Sequence, residues 1–274
     1  MISHLYCITW SMDNEKTLEA YAVALCSDIE KVENIRKKAK FSKTNNNGWN
    51  ARNKGGGFNA PKNIGYVMRL IKDIRPATIQ EWVEGYFRSG QQRNIADSKT
   101  DGRTVTEIKE LSLAFKEECF RHGIKLSDEE AFDYSIIRVL YETYLGYTRE
   151  MNTINNLDKE MNKIGYGATA DIDSITFKRN EAEMEEEHLD FDYAIDAFII
   201  DDQRNAVAGI QIKSMKWKEG SVHPGVIMTN HKKMEAFSES TGLPAYFIYS
   251  STTGDIDEDS LMTLKNGLMK GLNL

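Results

Sequence analysis

Apolar and polar positions follow two different periods along this chain, a helical one first and an alternating one later. After Asp13 and Asn14, apolar residues recur at Leu18, Tyr21, Ala22, Leu25, Ile29 and Val32. That spacing predicts an amphipathic helix running to about Phe41. Residues 42–60 hold Asn45, Asn46, Asn47, Asn50, Asn53 and three consecutive glycines from Gly55, and they read as a loop because these residues favour turns. Pro61 suits the first turn of a helix faced by Ile64, Val67, Met68 and Ile71 and closed by Pro76. Thr78 with Glu81, and Ser127 with Glu130, have capping-box spacing, in which hydroxyl and carboxylate satisfy each other's backbone N–H groups. The first pair opens a helix bearing Ile79, Trp82, Val83 and Tyr86. The second opens a long one through Tyr134, Ile137, Leu140, Tyr141 and Tyr144 and onward past Leu157. Between them, a helix over about 105–122 ends at Gly123.

Past residue 170 the pattern shortens. Residues 172–177, 193–200 and 207–212 are rich in β-branched and aromatic side chains and separated by turn-forming or charged segments, so they read as strands. A helix over about 228–240 and a buried strand over 243–249 follow. The order is helix, three strands, helix, strand, with no internal repeat. It predicts an α/β (α+β) fold: a mixed central sheet flanked by helices, preceded by a helical N-terminal lobe. We divide the chain into residues 1–124, a helical lobe, and residues 125–274, which carry the sheet.

Composition narrows the class. With 41% hydrophobic and 28% charged residues, all of the chain is expected to fold. No apolar run reaches the roughly 18 residues of a membrane span, and the short run from Leu5 to Trp10 lacks the basic lead-in of a secretory signal. A soluble, cytoplasmic protein is expected. Cys7, Cys26 and Cys119 are odd in number and scattered, which fits small buried hydrophobes rather than disulfides or a zinc site. The net charge of -7 argues against nucleic acid only if charge is evenly spread, and it is not. From Lys31 to Lys62 nine basic residues face Glu33 alone, a local +8 that leaves -15 elsewhere. Ten carboxylates crowd between Glu181 and Asp202. One region can therefore meet a polyanion while another holds a cation, although charge runs of both kinds are commonly just solvated surface.

The second and third strands flank the polar turn Asp201, Asp202, Gln203, Arg204, Asn205. A hairpin centred between Gln203 and Arg204 sets Asp196 directly opposite Gln211, and alternation puts Lys213 on the face of Gln211. One carboxylate, one amide and one ammonium then converge within reach of a small ligand. Such a set suits phosphodiester hydrolysis with Mg²⁺, which prefers hard oxygen ligands. Asp196, the Gln211 side-chain oxygen and the Ile212 carbonyl would be metal ligands, while Lys213 would hold the attacking water and oppose the growing charge on phosphate. The plainer alternative is a structural ion pair between Asp196 and Lys213, which leaves Gln211 unexplained. Other signals are poor. His4, His122, His188, His223 and His231 lack ligand spacing, the Gly55 run lacks the end of a phosphate loop, and Asp255, Asp257 and Asp259 fit helix capping better than a calcium loop.

Asp196, then fifteen residues on Gln211-Ile212-Lys213, resembles the PD-(D/E)XK nuclease superfamily over about residues 130–250, with Gln in the usual acidic position and Ile195 where a proline often stands. More narrowly, the chain is similar to type II restriction endonucleases of the MjaI type. That likeness rests on Asn59-Ala60-Pro61-Lys62-Asn63-Ile64-Gly65 with Trp82, on Glu142-Thr143-Tyr144-Leu145-Gly146, and on Tyr193-Ala194-Ile195-Asp196 leading to Gly209-Ile210-Gln211-Ile212-Lys213. The resemblance implies a Mg²⁺-dependent endonuclease cutting double-stranded DNA at a short specific site, working as a homodimer and paired with a DNA methyltransferase. Glu142 is then expected to join the catalytic set in place of the charge lost at Gln211, with Asp192, Glu187, Asp190 and Glu150 as alternatives. Glu142 and Glu150 flank Gly146, where a missing side chain would let the helix approach the sheet. DNA contact is expected from Lys37, Lys38, Lys40, Arg52, Asn53 and Lys54, lysines on phosphates and Arg or Asn on base edges. A repair or structure-selective nuclease and a non-catalytic DNA-binding protein are the competing readings.

Overall fold

The computed structural model describes residues 15–39, 55–58, 60–93, 101–177, 189, 192–220, 222 and 224–271. They form two compact units, Met1–Tyr147 and Thr148–Leu274.

The first unit is helical throughout its described residues. Instead of one long opening helix there are two, α1 (Glu15–Ser27) and α2 (Ile29–Ala39). Asp28 is the reason: its carboxylate accepts the Lys31 N–H at 2.9 Å and its carbonyl the Val32 N–H at 2.9 Å, so it starts a fresh helix. The expected end near Phe41 lies outside the described residues. Likewise the helix expected from Pro61 is split into α3 (Pro61–Ile64) and α4 (Val67–Ile74). Gly65 turns between them at φ 76°, where a Cβ would stand 2.1 Å from the Asp101 carbonyl. In α5 (Ile79–Gln92), Thr78 accepts the Glu81 N–H as expected, but the Glu81 carboxylate reaches the Ala77 N–H rather than closing the box. Helix α6 (Val105–Arg121) opens with a full capping box of Thr104 and Glu107 that the spacing of apolar residues does not single out. The Ser127 and Glu130 box opens α7 (Asp128–Ile136) as expected. A π-helical turn, Ile137–Tyr141, then joins it to α8 (Glu142–Asn162).

The core of this unit is aromatic. Trp82, Tyr86, Phe87 and Phe115 are fully buried, and the Trp82 indole donates to the Leu140 carbonyl at 3.0 Å. Cys26 and Cys119 are buried thiols, as expected. Burial, reinforced by nearby Asp133, pushes Cys26 up to about 12, which rules it out as a nucleophile near neutral pH. A less obvious interior group is Arg103, 1% exposed. Its guanidinium donates to the carbonyls of Pro61, Lys62, Asp101 and Gly102 at 2.7 to 3.2 Å. It thereby clasps α3 and the bend at Gly65 to the approach to α6.

The second unit is a four-stranded mixed sheet in the order β1-β2-β3-β4, with β1 (Gly167–Thr169), β2 (Ala197–Ile200), β3 (Ala206–Ser214) and β4 (Ala245–Ser250). The first three strands are antiparallel neighbours, and β4 lies parallel to β3. Short α9 (Met215–Lys218) follows β3, α10 (Pro224–Thr241) precedes β4, and α11 (Glu258–Gly271) follows it. On one face Ile154, Leu157 and Met161 of α8 and Leu264 and Leu268 of α11 meet Ala197, Ile199, Ala208, Ile210, Ile212 and Ile248. On the other, Met234 and Phe237 of α10 meet Ile195, Phe198, Ile200 and Ala206.

Three boundaries differ from expectation. The first strand is Gly167–Thr169, not residues 172–177, which instead hold the 3-10 turn Ile172–Ser174 and one bridge, Thr176 to Asn205. There Thr169 accepts the Asp171 N–H at 3.0 Å and Ser174 bonds the Asp171 carbonyl at 2.7 Å, local bonds that compete with extension. Strand β2 starts only at Ala197, because Ala194 adopts φ 56° in a turn closed by the Ile195 N–H on the Leu189 carbonyl at 2.9 Å. Helix α10 starts four residues early, at Pro224, a residue suited to a first helical turn. Among the described residues no helix is long and apolar enough to cross a membrane.

Candidate active site

The β2–β3 hairpin has the register that alternation demands. Ala197, Phe198 and Ile199 pair with Ile210, Gly209 and Ala208, so Asp196, the next residue out, faces Gln211. Nearer the turn Ile200 pairs with Ala206, leaving Val207 as an extra bulged residue. The turn is pinned by Asp201, whose Oδ1 accepts the N–H groups of Gln203 at 3.0 Å and Asn205 at 2.7 Å, with Arg204 at φ 62°. Asp196 keeps the ladder going through its own N–H to the Ile210 carbonyl at 2.8 Å.

Two donors converge on the Asp196 carboxylate. Its Oδ2 accepts the Ile212 N–H at 2.7 Å and a short hydrogen bond from the Gln211 side-chain amide. Gln211 is 1% exposed, whereas Asp196 is half-buried. A strand residue's N–H and C=O project from the same edge. The Ile212 carbonyl therefore also faces the Asp196 side, beyond the last β2–β3 pair. Lys213, half-buried, holds its Nζ 5.1 Å from the centre of the Trp217 ring. Among the described residues it forms no ion pair, so the structural pairing of Asp196 with Lys213 is not what this fold uses.

Packing explains why these polar groups sit where they do. Gly209 is two residues before Gln211 on the α10 face, and a Cβ there would come 2.7 Å from the Phe237 ring and 2.9 Å from Ile195. Glycine lets α10 close over the sheet just short of the polar groups. Across β4, Gln211 pairs with Phe247 and Lys213 with Tyr249, two rings stacked at 6.1 Å, and His231 of α10 lies 4.8 Å from Phe247. The site thus has an aromatic flank that sequence patterning alone does not reveal.

The other expected residues are distributed as follows. Glu142 belongs to the first unit, where it pairs with Arg138 and, at 3.6 Å, with Arg36. Gly146 has nothing within 4 Å of a built Cβ, so the close approach expected there is absent. Glu150 is buried, one turn before Thr153, whose hydroxyl meets Ser250 at 2.9 Å at the end of β4. That is the end of the sheet where Lys213 stands, approached from the opposite face. Asp192 is exposed, and Glu187 and Asp190 lie outside the described residues. Lys37 is exposed on α2, whereas the Lys38 side chain, Lys40, Arg52, Asn53 and Lys54 lie outside the described residues. Asp257 caps α11 through the Ser260 N–H at 3.0 Å, as expected, while Asp259 shares the Lys218 ammonium with it at 2.7 and 2.8 Å and Asp255 accepts from Ser251 and Thr253.

A family model, MjaI restriction endonuclease, matches residues 49–258, which span the Arg103 clasp, the long helix and the whole hairpin. The chain belongs to the MjaI restriction endonuclease family. No curated protein and no solved structure matches it. As a restriction endonuclease it is a nuclease whose substrate is DNA, and its mixed sheet between helices is consistent with the α+β fold of such enzymes. Among the described residues no group of three or more His, Cys, Asp or Glu side chains could hold a metal. A site of one carboxylate, one amide and one peptide carbonyl escapes any such acid-based criterion.

Proposed function

We propose that this restriction endonuclease is a Mg²⁺-dependent type II enzyme that hydrolyses phosphodiester bonds of double-stranded DNA at a short specific site, with Asp196, Gln211 and Lys213 as its core. One observation carries the reading: the Asp196 carboxylate, half-exposed, gathers the Gln211 amide and the Ile212 N–H, with the Lys213 ammonium next on the same face.

The donor set fits a hard divalent cation. Asp196 supplies the anionic oxygen, the Ile212 carbonyl faces the same side, and a half-turn of the Gln211 amide exchanges its N–H₂ for oxygen. The chemistry such an ion supplies is polarisation of the phosphate and acidification of a water. Without the ion, the Gln211 and Ile212 N–H groups hold the carboxylate in one rotamer, ready for the incoming charge. Lys213, with no counter-charge on it among the described residues, orients the nucleophile and opposes the charge that builds on the phosphate oxygens. The missing second carboxylate we assign to Glu150 or Asp192, both in the unit of the hairpin. Glu142 would serve only by giving up Arg138 and Arg36.

Recognition we assign to the basic stretch, with Lys37, Lys38, Lys40 and Lys54 on phosphates and Arg52 and Asn53 on base edges. The family match begins at residue 49, so the three lysines precede it and the loop residues fall within it. A homodimer on a two-fold site, a partner methyltransferase and a cytoplasmic location belong to the same reading.

The test is to incubate the protein with mixed-sequence plasmid and Mg²⁺. Discrete, reproducible fragments are expected. Nicking confined to aberrant structures would indicate a repair nuclease, and binding without cleavage a regulator. Replacing Lys37, Lys38 and Lys40 together by Ala should weaken binding to all sequences and flatten its salt dependence, by roughly one unit of log-log slope for each phosphate no longer neutralised. Unchanged salt dependence would move phosphate binding elsewhere.

A further inference from the structure

We propose that Trp217 is a positioning residue for Lys213, its indole face holding the ammonium where the cleavage reaction needs it. This rests on the assignment of Lys213 to that reaction. Lys213 stands at the penultimate position of β3 on a flexible four-carbon stem, and such a stem needs a partner to hold one geometry. A carboxylate would hold it at the cost of cancelling its charge. An aromatic face attracts the cation through the ring quadrupole and leaves the charge undiminished. The Lys213 Nζ lies 5.1 Å from the Trp217 ring centre, inside the range of that attraction.

Trp217 is itself held from a distance. Its helix, α9, has four residues and no capping side chain of its own. The next residue, Lys218, fastens it by bridging Asp257 and Asp259 at the start of α11. Lys218 donates to both carboxylates, and these hydrogen bonds hold its ammonium above the ordinary value. Lys213 thus depends on Trp217, Trp217 on the placing of α9, and α9 on the bridge from Lys218 to Asp257 and Asp259. Trp217 needs no contact with DNA.

The experiment measures single-turnover cleavage of a plasmid that the parent cuts, with Mg²⁺, and DNA affinity without divalent metal, for the full chain. Trp217→Leu should cut about tenfold more slowly and Trp217→Phe about two- to threefold, with affinity unchanged in both. Fluorinated tryptophan placed at position 217 alone keeps the shape of the ring and weakens its negative face. Cleavage should then fall stepwise with each added fluorine. Lys213→Ala is measured in parallel and should be inactive. Parental rates in Trp217→Leu overturn the proposal, as does a fluorinated series with no trend, even if Trp217→Leu fails to fold. Lys213→Ala at the parental rate removes Lys213 from the reaction and Trp217 with it, whereas inactive Lys213→Ala beside parental Trp217 variants removes Trp217 alone.

Discussion

Arg103 in the first unit and the Asp196–Lys213 group in the second are both charges set among apolar residues, and they are treated in opposite ways. The Arg103 guanidinium is sealed, and four backbone carbonyls take up its donors. Asp196 and Lys213 are half-buried, and the lysine rests on an aromatic face instead of a counter-charge. A saturated, sealed charge has no capacity left for an outside ligand, so it is architecture. A half-buried carboxylate and an ammonium held on a ring are what the proposed active site requires of its charges.

Mutations can break this comparison. Arg103→Met should cost about 3 kcal/mol or more, because several buried carbonyls lose their donors at once. Urea unfolding measures it, and a loss below about 1 kcal/mol would mean that water takes over the clasp. Gln211→Glu, by contrast, should lower stability only while metal is absent, because the buried amide donor to Asp196 is replaced by a second carboxylate, and should tighten Mg²⁺ or Mn²⁺ binding about tenfold, since the proposed ligand set gains a charge. Calorimetric titration decides this. Unaltered affinity would place the Gln211 side chain off the ion.

A smaller effect probes the clip behind Trp217. Burial pulls the Asp257 carboxyl upward, but the Lys218 and Ser260 hydrogen bonds outweigh it and hold the group below its ordinary value. A carboxyl depressed in the folded state stabilises fully above its unfolded value, near pH 4, and loses that contribution as pH falls through the folded value. Asp257→Asn keeps a capping oxygen and loses the charge that Lys218 pairs with, so it should destabilise slightly at neutral pH, by less than about 1 kcal/mol, and hardly at all in acid. Melting temperatures of parent and variant should converge on acidification. Parallel pH profiles would show that Asp257 carries no linked proton.

The hairpin was legible in the sequence because its pattern is local: alternating apolar residues, a polar turn, and a charge on each strand within apolar surroundings. The bulge at Val207 falls toward the turn and leaves the pairing beside Asp196 untouched. Elements whose cause is tertiary were not legible. Gly167–Thr169 is too short to carry a period and becomes a strand by pairing with β2. The break at Asp28 interrupts no apolar spacing in the sequence, yet it leaves Ile29 exposed while Val32 is buried. Arg103 sits among polar and small residues, Asp101 to Thr104, where nothing marks it as interior; two of its four carbonyl partners, Pro61 and Lys62, come from a segment about forty residues away. Trp217 reads as an isolated aromatic after a strand until the fold sets its ring against Lys213.

Whether Asp196 anchors the reaction is decided by single-turnover cleavage by Asp196→Ala across a Mg²⁺ titration. The variant should melt with the parent, bind DNA without metal as the parent does, and cut at least about 10²-fold more slowly at every Mg²⁺ concentration. Cleavage by Asp196→Ala at the parental rate, with the same Mg²⁺ dependence, would contradict the assignment and move the active site away from the hairpin.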